Sequence, residues 1–509
     1  MNTKPVKLSL CLSVLTAAGL LGGCGGGGDT SASDRVVVGD NFPLAFIERD
    51  ADAVLNPADG LSFNPGSDLY LLEVASPSAR KHNITGAYTQ GLGDVAEPEA
   101  SYDGSRLIFS MRGPQDPTWN IWEYDLASGQ LRRVIADDEI ANAGDDRDPH
   151  YLPDGRIVFS SNRQSTTRAQ LQAAGLEPYA YGDGYGREPA LVLHVMNPDG
   201  SGIEQISFNQ SHDRGVTVLM NGKLMYARWD HVGGRNHYPI YAMNPDGTGL
   251  DVLYGAFSPG DAFVNPRELP DGRIIANLLP LAGTRNGGAL VIIDAANFSD
   301  HLQPIPSSSR GGQGQYQPTY YQLPLDGRVS AMGRFTTPYP LWDGSARVLA
   351  AWTPFRPAAE RHPLTGEART AEGAPHYGIY MLDLNERTQR PIALPAEGRM
   401  LTDPVALMPR PLPATTATGM PLATARATLQ PRPGDPCKIQ PRPAQPPACE
   451  DPTDPTDPTD PTDPTDPTDP TDPTDPTDPT DPTDPTDPTD PTDPTDPTDP
   501  TDPPDPVEP

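Results

Sequence analysis

One recurring unit limits the folds open to this chain: a polar residue or glycine, usually followed by proline, then a short strand pattern, an Asp-Gly or Asn-Gly turn and an apolar strand. It occurs as "EPEASYDGSRLIFSM" from Glu97, "DPHYLPDGRIVFSS" from Asp148, "GVTVLMNGKLMYAR" from Gly215 and "NPRELPDGRIIANLL" from Asn265, with the turn glycine always seven residues after the first residue. Two looser copies follow, "QPTYYQLPLDGRVSAMG" from Gln317 and "DPVALM" from Asp403. Three of the five steps between starts agree, at 51, 50 and 52 residues, while steps of 67 and 86 carry insertions. A period in this range marks a repeat architecture, in which each unit buries its apolar face only against its neighbours.

Each unit also has a second half, an alternating strand running into a polar turn, as in "NIWEYDLASGQLRRVI" and "PIYAMNPDGTGLDVLY". Alternation at period two, punctuated by Asx-Gly turns, specifies antiparallel hairpins. Six four-stranded units predict an all-β, six-bladed β-propeller over residues 41–411, with seven blades as the alternative if the lengthened last unit contains two. The first outer hairpin has only "PLAFIERD" before it and the last copy, at Asp403, has no hairpin after it. The C-terminal strand is therefore expected to complete the first blade and remove the exposed sheet edges. The insertions fall at residues 162–188, with "RAQLQAAGLE" as one helix, and at 336–375; long loops on a rigid scaffold are where specificity usually resides.

The two ends have a different composition. Two lysines, a 14-residue mostly apolar run and "LGGC" open the chain. The run is too short for a good membrane span and reads as an export signal over residues 1–23, followed by a flexible tether over 24–40. Residues 412–450 form a proline-rich linker, and 451–509 repeat Asp-Pro-Thr and hold 20 of the 31 net negative charges. Such a tail cannot bury enough apolar surface to fold and is expected to be a disordered, polyproline-II-like spacer. Because the acidity belongs to the tail, it gives no reason to expect a nucleic-acid partner. Cys437 and Cys449 lie close together in an exported segment and are candidates for a disulfide. No CxxCH and no paired CxxC occurs, which argues against covalent c-type haem and a zinc-thiolate site.

Several of these segments resemble known families. "LGGC" is similar to the bacterial lipobox, which implies lipid attachment at Cys24, and Gly25 after it implies the outer membrane. "YLPDGRIVFSSNR" and "YAMNPDGTGLD" resemble the PD40 or TolB-type propeller repeat. "GDVAEPEASYDGSRLIFSMR", "LMYARWDHVGG" and "PLWDGSARVLAAW" resemble the propeller domain of the hydrazine synthase alpha subunit and its bacterial relatives. These resemblances imply an exported propeller that binds other molecules. The haem-dependent redox chemistry of hydrazine synthase does not carry over, because its attachment motifs are missing here.

No GxSxG, P-loop or HExxH is present, so no catalytic residue, cofactor or metal is assigned. Two sets of polar candidates remain. Glu97, Asp148, Asn265, Gln317 and Asp403 hold equivalent positions at the start of the repeat, which in TolB-like propellers lie near the central channel. A ring of such oxygens would bind a cation or a basic peptide, or each would cap its own turn or pair with a neighbouring backbone. The second set is His150, His212, His231 and His237, with Asp213, Trp229 and Asp230 nearby. The spacing of His231 and His237 across a Gly-Gly pair fits no standard metal-ligand geometry, and ordinary loop histidines are favoured.

The resulting expectation is a membrane-anchored envelope lipoprotein whose propeller binds a protein or glycan partner. The alternatives are a non-catalytic subunit of a periplasmic redox or lyase complex related to hydrazine synthase, or sensing of a small ligand or cation in the channel. Deleting residues 451–509 is expected to leave the melting temperature of the folded part nearly unchanged in a thermal melt, because a solvated spacer contributes no burial.

Overall fold

The computed structural model describes residues 41–415 except 54, 56–59, 176–188, 232–235, 259, 281–286, 301, 306–311 and 362–367. The signal and tether, Cys24, Cys437, Cys449 and the acidic tail lie outside the described residues. Within them the chain folds as six four-stranded antiparallel sheets, arranged as a six-bladed propeller. The innermost strands are Arg399–Ala406, Asp94–Ala100, Asp146–Tyr151, Asp213–Val218, Ala262–Glu268 and Arg334–Pro340, which number blades 1 to 6. Each touches the next, and blade 6 touches blade 1. The core is correspondingly a series of apolar clusters between successive blades. Ile108, Ile157 and Phe159 join blades 2 and 3, while Val158, Leu193 and Tyr226 join blades 3 and 4.

The ring closes as expected from the repeat count. The C-terminal strand Arg399–Ala406 pairs antiparallel with the N-terminal strand Leu44–Asp50, from Leu44 opposite Ala406 to Asp50 opposite Arg399. Met400, Leu401 and Val405 are buried on the closing strand, so the seam is an apolar contact as well as a hydrogen-bonded ladder.

The turn of the repeat has a local cause. Gly104, Gly155, Gly222, Gly272 and Gly344 adopt positive φ between 71° and 90°, which a side chain would resist. The residue before each, Asp103, Asp154, Asn221, Asp271 or Asp343, accepts the backbone N–H two positions on, at 2.9–3.1 Å. This Asx-turn fixes where each inner strand turns back into the second strand.

The sixth copy differs from the sequence expectation. Gln317 does not open a blade: it follows the two-residue outer strand Gln315–Tyr316 of blade 5, and its side-chain amide closes a loop onto the backbone of Leu323 with two 2.8 Å bonds. The equivalent residue is Thr337, followed by Pro338 and, seven residues on, by Gly344. The segment from Gln317 carries its glycine three residues too late for the turn to meet the inner strand. Consequently residues 336–353 belong to the blade itself, and the insertion is the hairpin Pro357–Arg361 with Ala368–Glu372. In the other insertion, Ser165–Ala173 forms one helix.

Truncation after Gly398 removes the innermost strand of blade 1 and exposes an edge of Leu44–Asp50. The truncated chain is expected to lose its cooperative thermal transition, checked by circular dichroism.

Candidate ligand chamber at the propeller axis

Every inner strand breaks its ladder at the same place. The register shifts once between Ala96 and Glu99, Arg147 and His150, Arg214 and Thr217, Val264 and Arg267, and Thr336 and Tyr339, with the matching irregularity in blade 1. At these bulges Glu97, Asp148, Gly215, Asn265, Thr337 and Asp403 all have φ between 46° and 63°. All but Gly215 precede a proline, which has no N–H to give the ladder and is tolerated in sheets at edges and bulges. The six residues line the central channel, as their shared position in the repeat implies.

The ring separates two cavities. The one above it, of about 130 Å³, is lined by Asp94, Glu97, Asp148 and Asp403 and by Arg49, Arg147 and Arg214. Arg147 grips Glu97 through two nitrogens and donates Nη1 to the Gly60 carbonyl at 3.0 Å. Arg214 bridges Glu97, at 2.8 Å, and Asp148. Arg49 reaches Asp403 at 3.2 Å and Asp94 at 3.9 Å. Burial alone would raise the Glu97 carboxyl, but Arg147 and Arg214 outweigh it and hold the group well below the usual carboxylate range. For Asp148 and Asp403 burial prevails over Arg214 and Arg49 respectively, and both are pushed up.

Below the ring the channel narrows to about 50 Å³ between the prolines and then to about 20 Å³. Glu99, buried beside Arg267 and 2.8 Å from Arg410, lies at this level with His150 at 3.8 Å. Burial opposes its ionisation, yet Arg267, Arg410 and His150 bring Glu99 down to about 2. Burial takes His150 down to about 4 against the pull of Glu99, and its Nδ1 donates to the Tyr151 carbonyl at 2.8 Å, so it is neutral and its Nε2 accepts from Arg410 Nη2 at 3.5 Å. Arg410 belongs to a strap that leaves blade 1 and crosses this face. Leu407 N donates to the Pro43 carbonyl, Arg410 N to that of Tyr102 and Ala414 N to that of Met220. Gly104 lets the strap pass, since a Cβ there would stand 2.8 Å from the Met408 backbone.

Antiparallel blades put their short Asx-Gly turns on the strap's face and the connections between second and third strands on the other. The second-to-third connections therefore leave and re-enter their blades on the side of the upper chamber, whereas the connection of blade 5 from Ile293 to Gln315 leaves and returns on the strap's side. Leu55, Ser62 and Asn64 line the upper chamber, with Asn64 N donating to Asp94 at 2.6 Å and the Arg112 guanidinium 4.9 Å from the Phe63 ring centre.

The histidine set does not converge. His212, His231 and Tyr238 stack on Trp229 with ring centres 5.6, 5.2 and 5.6 Å away, and His212 Nδ1 accepts from Leu191 N at 3.0 Å. His237 instead forms a backbone bridge with Asp230, and Asp213 is a buried partner of Arg228 at 2.8 Å. Trp229 and Tyr238 are wholly buried, and Tyr238 forms part of the chamber wall. Among the described residues no group of three His, Cys, Asp or Glu side chains is placed to hold a metal.

The sequence analysis missed Arg49, Asp94, Arg147, Arg214, Glu99, Arg267 and Arg410. The repeat itself held a signal for four of them: aligned on the ring residue, the preceding column holds Arg147 and Arg214, and the column two residues later holds Glu99 and Arg267. A larger cavity of about 310 Å³ lies off the axis beside Tyr320, Tyr321 and Trp352, where the two-residue outer strand of blade 5 leaves blade 6 uncovered.

Fold and axial channel define the class, a six-bladed β-propeller. No family model and no curated protein matches the chain. Among solved structures it is similar to hydrazine synthase from Kuenenia stuttgartiensis, with 16% identity and a TM-score of 0.52 over 74% of this chain and 48% of that one. This chain thus spans about half of that protein's length. It also matches TolB from Acinetobacter baumannii at 12% identity and a TM-score of 0.44, over 74% and 69% of the two chains. A structure from the nidogen–laminin complex matches at 9% identity and 0.41, over 72% and 100%. At these identities the likeness is one of fold.

Glu99→Ala leaves Arg267 and Arg410 unpaired in a buried site and is expected to lower stability by about 3–5 kcal/mol at neutral pH. Its folded value of about 2 lies below the ordinary 4.5, so the stabilisation is present above pH 4.5 and lost as pH falls toward 2. Denaturant melts across that range should show the wild type and variant converging.

Proposed function

We propose that this chain is an exported lipoprotein, acylated at Cys24, whose propeller is a binding scaffold in the cell envelope. It takes its partner on the side of the upper chamber. The observation that carries this reading is the taper of the axial channel: a charged chamber of about 130 Å³ lies above the ring, while the prolines, the Glu99 cluster and the strap narrow the opposite side to about 50 and then about 20 Å³. Preformed concave sites with a few convergent polar groups are where ligands bind. The chamber's size suits one side chain of a protein segment, or a small molecule, better than a glycan chain.

Two experiments test this. Cys24→Ala is expected to move the protein from the membrane to the soluble fraction; a variant that stays membrane-bound sinks the anchoring claim. Val264→Trp fills the chamber from its half-buried wall. It is expected to abolish partner capture from envelope extract while leaving the melting temperature close to that of the wild type. Unchanged capture would mean that the chamber is not the binding site.

A further inference from the structure

Resting on that reading, we propose that the chamber recognises an alkylammonium group, with the ammonium seated on Asp148, Asp403 and Asn265. The three residues belong to blades 3, 1 and 5 and line both the upper chamber and the cavity beneath, so they form the floor of the one and the roof of the other.

The first argument is which ring oxygens are already used. Glu97 is spent on Arg147, Arg214, the Ser110 hydroxyl and the backbone N–H of Asp148. Thr337 accepts the backbone N–H of Asp403 at 3.0 Å, and Gly215 has no side chain. Asp148 and Asp403 receive donors on Oδ2 alone, from Arg214 in one case and from Arg49 and Thr402 in the other. No protein donor reaches Oδ1 of either, and the Asn265 amide has no protein partner among the described residues. Asp148 is only 7% exposed, so its free oxygen faces the channel rather than bulk water.

Arrangement gives the second argument. Equivalent positions in a six-bladed ring stand about 60° apart, so alternate blades 1, 3 and 5 stand about 120° apart around the axis. A primary ammonium has three N–H donors disposed about its C–N bond. Entering along the axis, it presents one donor to each of the three unused oxygens. A guanidinium is planar and donates in a fork, which suits paired acceptors on one side rather than three around an axis.

Charge and shape supply the third. Among the described residues that line the upper chamber there are four carboxylates and three guanidiniums, an excess of one negative charge that a monovalent cation neutralises. Leu55, Ala227, Val264 and Leu279 line the chamber above the ring and are absent from the lining of the cavity beneath. These four side chains give a methylene stem apolar contacts within an otherwise charged chamber, while its ammonium end meets the carboxylates of the ring. A cavity of about 150 Å³ accommodates a benzene, so 130 Å³ admits roughly the five or six heavy atoms of such a group. A lysine side chain on a partner protein and a free diamine share this chemistry.

Isothermal titration of the full chain at low ionic strength tests it with 1,5-diaminopentane and with Nα-acetyl-lysine methylamide. One-to-one binding of either is expected. Uptake of both admits a protein lysine, and uptake of the diamine alone assigns the site to a free amine. Methylammonium, which lacks the stem, should bind more weakly, and 1-pentanol should not bind. Asn265→Gly removes a side chain with no protein partner among the described residues and tolerates the φ of 51° there, so it should weaken binding about tenfold or more with little change in the melting temperature. Asp403→Asn should weaken it further. The proposal is overturned if neither amine binds at millimolar concentration, if methylammonium binds as tightly as the diamine, or if both variants bind like the wild type. Should the amines fail while Val264→Trp still abolishes partner capture, the binding scaffold stands and only the ligand class is wrong.

Discussion

A bulge repeated six times around an axis, five times before a proline, is the constraint on which the rest of this molecule depends. An inner strand of a propeller blade has one ladder partner and one side facing the channel, so it can carry a proline without losing a bond to a second neighbour. The bulge then places an extra residue, held at positive φ, on the axis. Non-glycine residues in that conformation cost on the order of 1–3 kcal/mol each and persist only where the surroundings hold them. Here the holding contacts run between blades: Asp148 N donates to Glu97 and Ser110, and Asp403 N to Thr337. The strained positions and the ring of polar side chains are therefore two aspects of one device.

Ionic pairing along the axis follows from that geometry. Six backbones meet around a channel lined largely by polar side chains, and buried carboxylates survive there only with partners. Five arginines supply them: Arg49, Arg147 and Arg214 above the ring, Arg267 and Arg410 below. The two halves are compensated differently. Glu99 has two guanidiniums to itself and is driven low, whereas Asp148 and Asp403 share theirs and are pushed up. The lower half thus acts as a narrow clamp beneath the strap, and the upper half keeps unused acceptors. A molecule narrowed at one end and under-satisfied at the other has a direction of approach built into it.

Much of this was legible in the repeat. The seven-residue spacing from ring residue to turn glycine located four inner strands, and the count of strands at the two ends foretold the closure of blade 1. It failed at the sixth copy because Gln317 begins a proline-containing stretch with a similar composition but the wrong spacing; Thr337, which has the right one, was passed over as part of an insertion. Of the candidate histidines, His212 and His231 stack on Trp229, whereas His237 forms a backbone bridge with Asp230.

By itself, the sequence determined that the chain is a closed ring of antiparallel sheets with oxygen-bearing residues at equivalent positions, since periodicity and turn chemistry are local and repeat with the chain. Only the tertiary structure decided which of those residues are spent and which are free. Arg147 and Glu97 are 50 positions apart, Arg214 and Glu97 are 117, and Arg410 and Glu99 are 311. Pairings over such separations are set by where the ring brings blades together, and no local pattern in the chain encodes them.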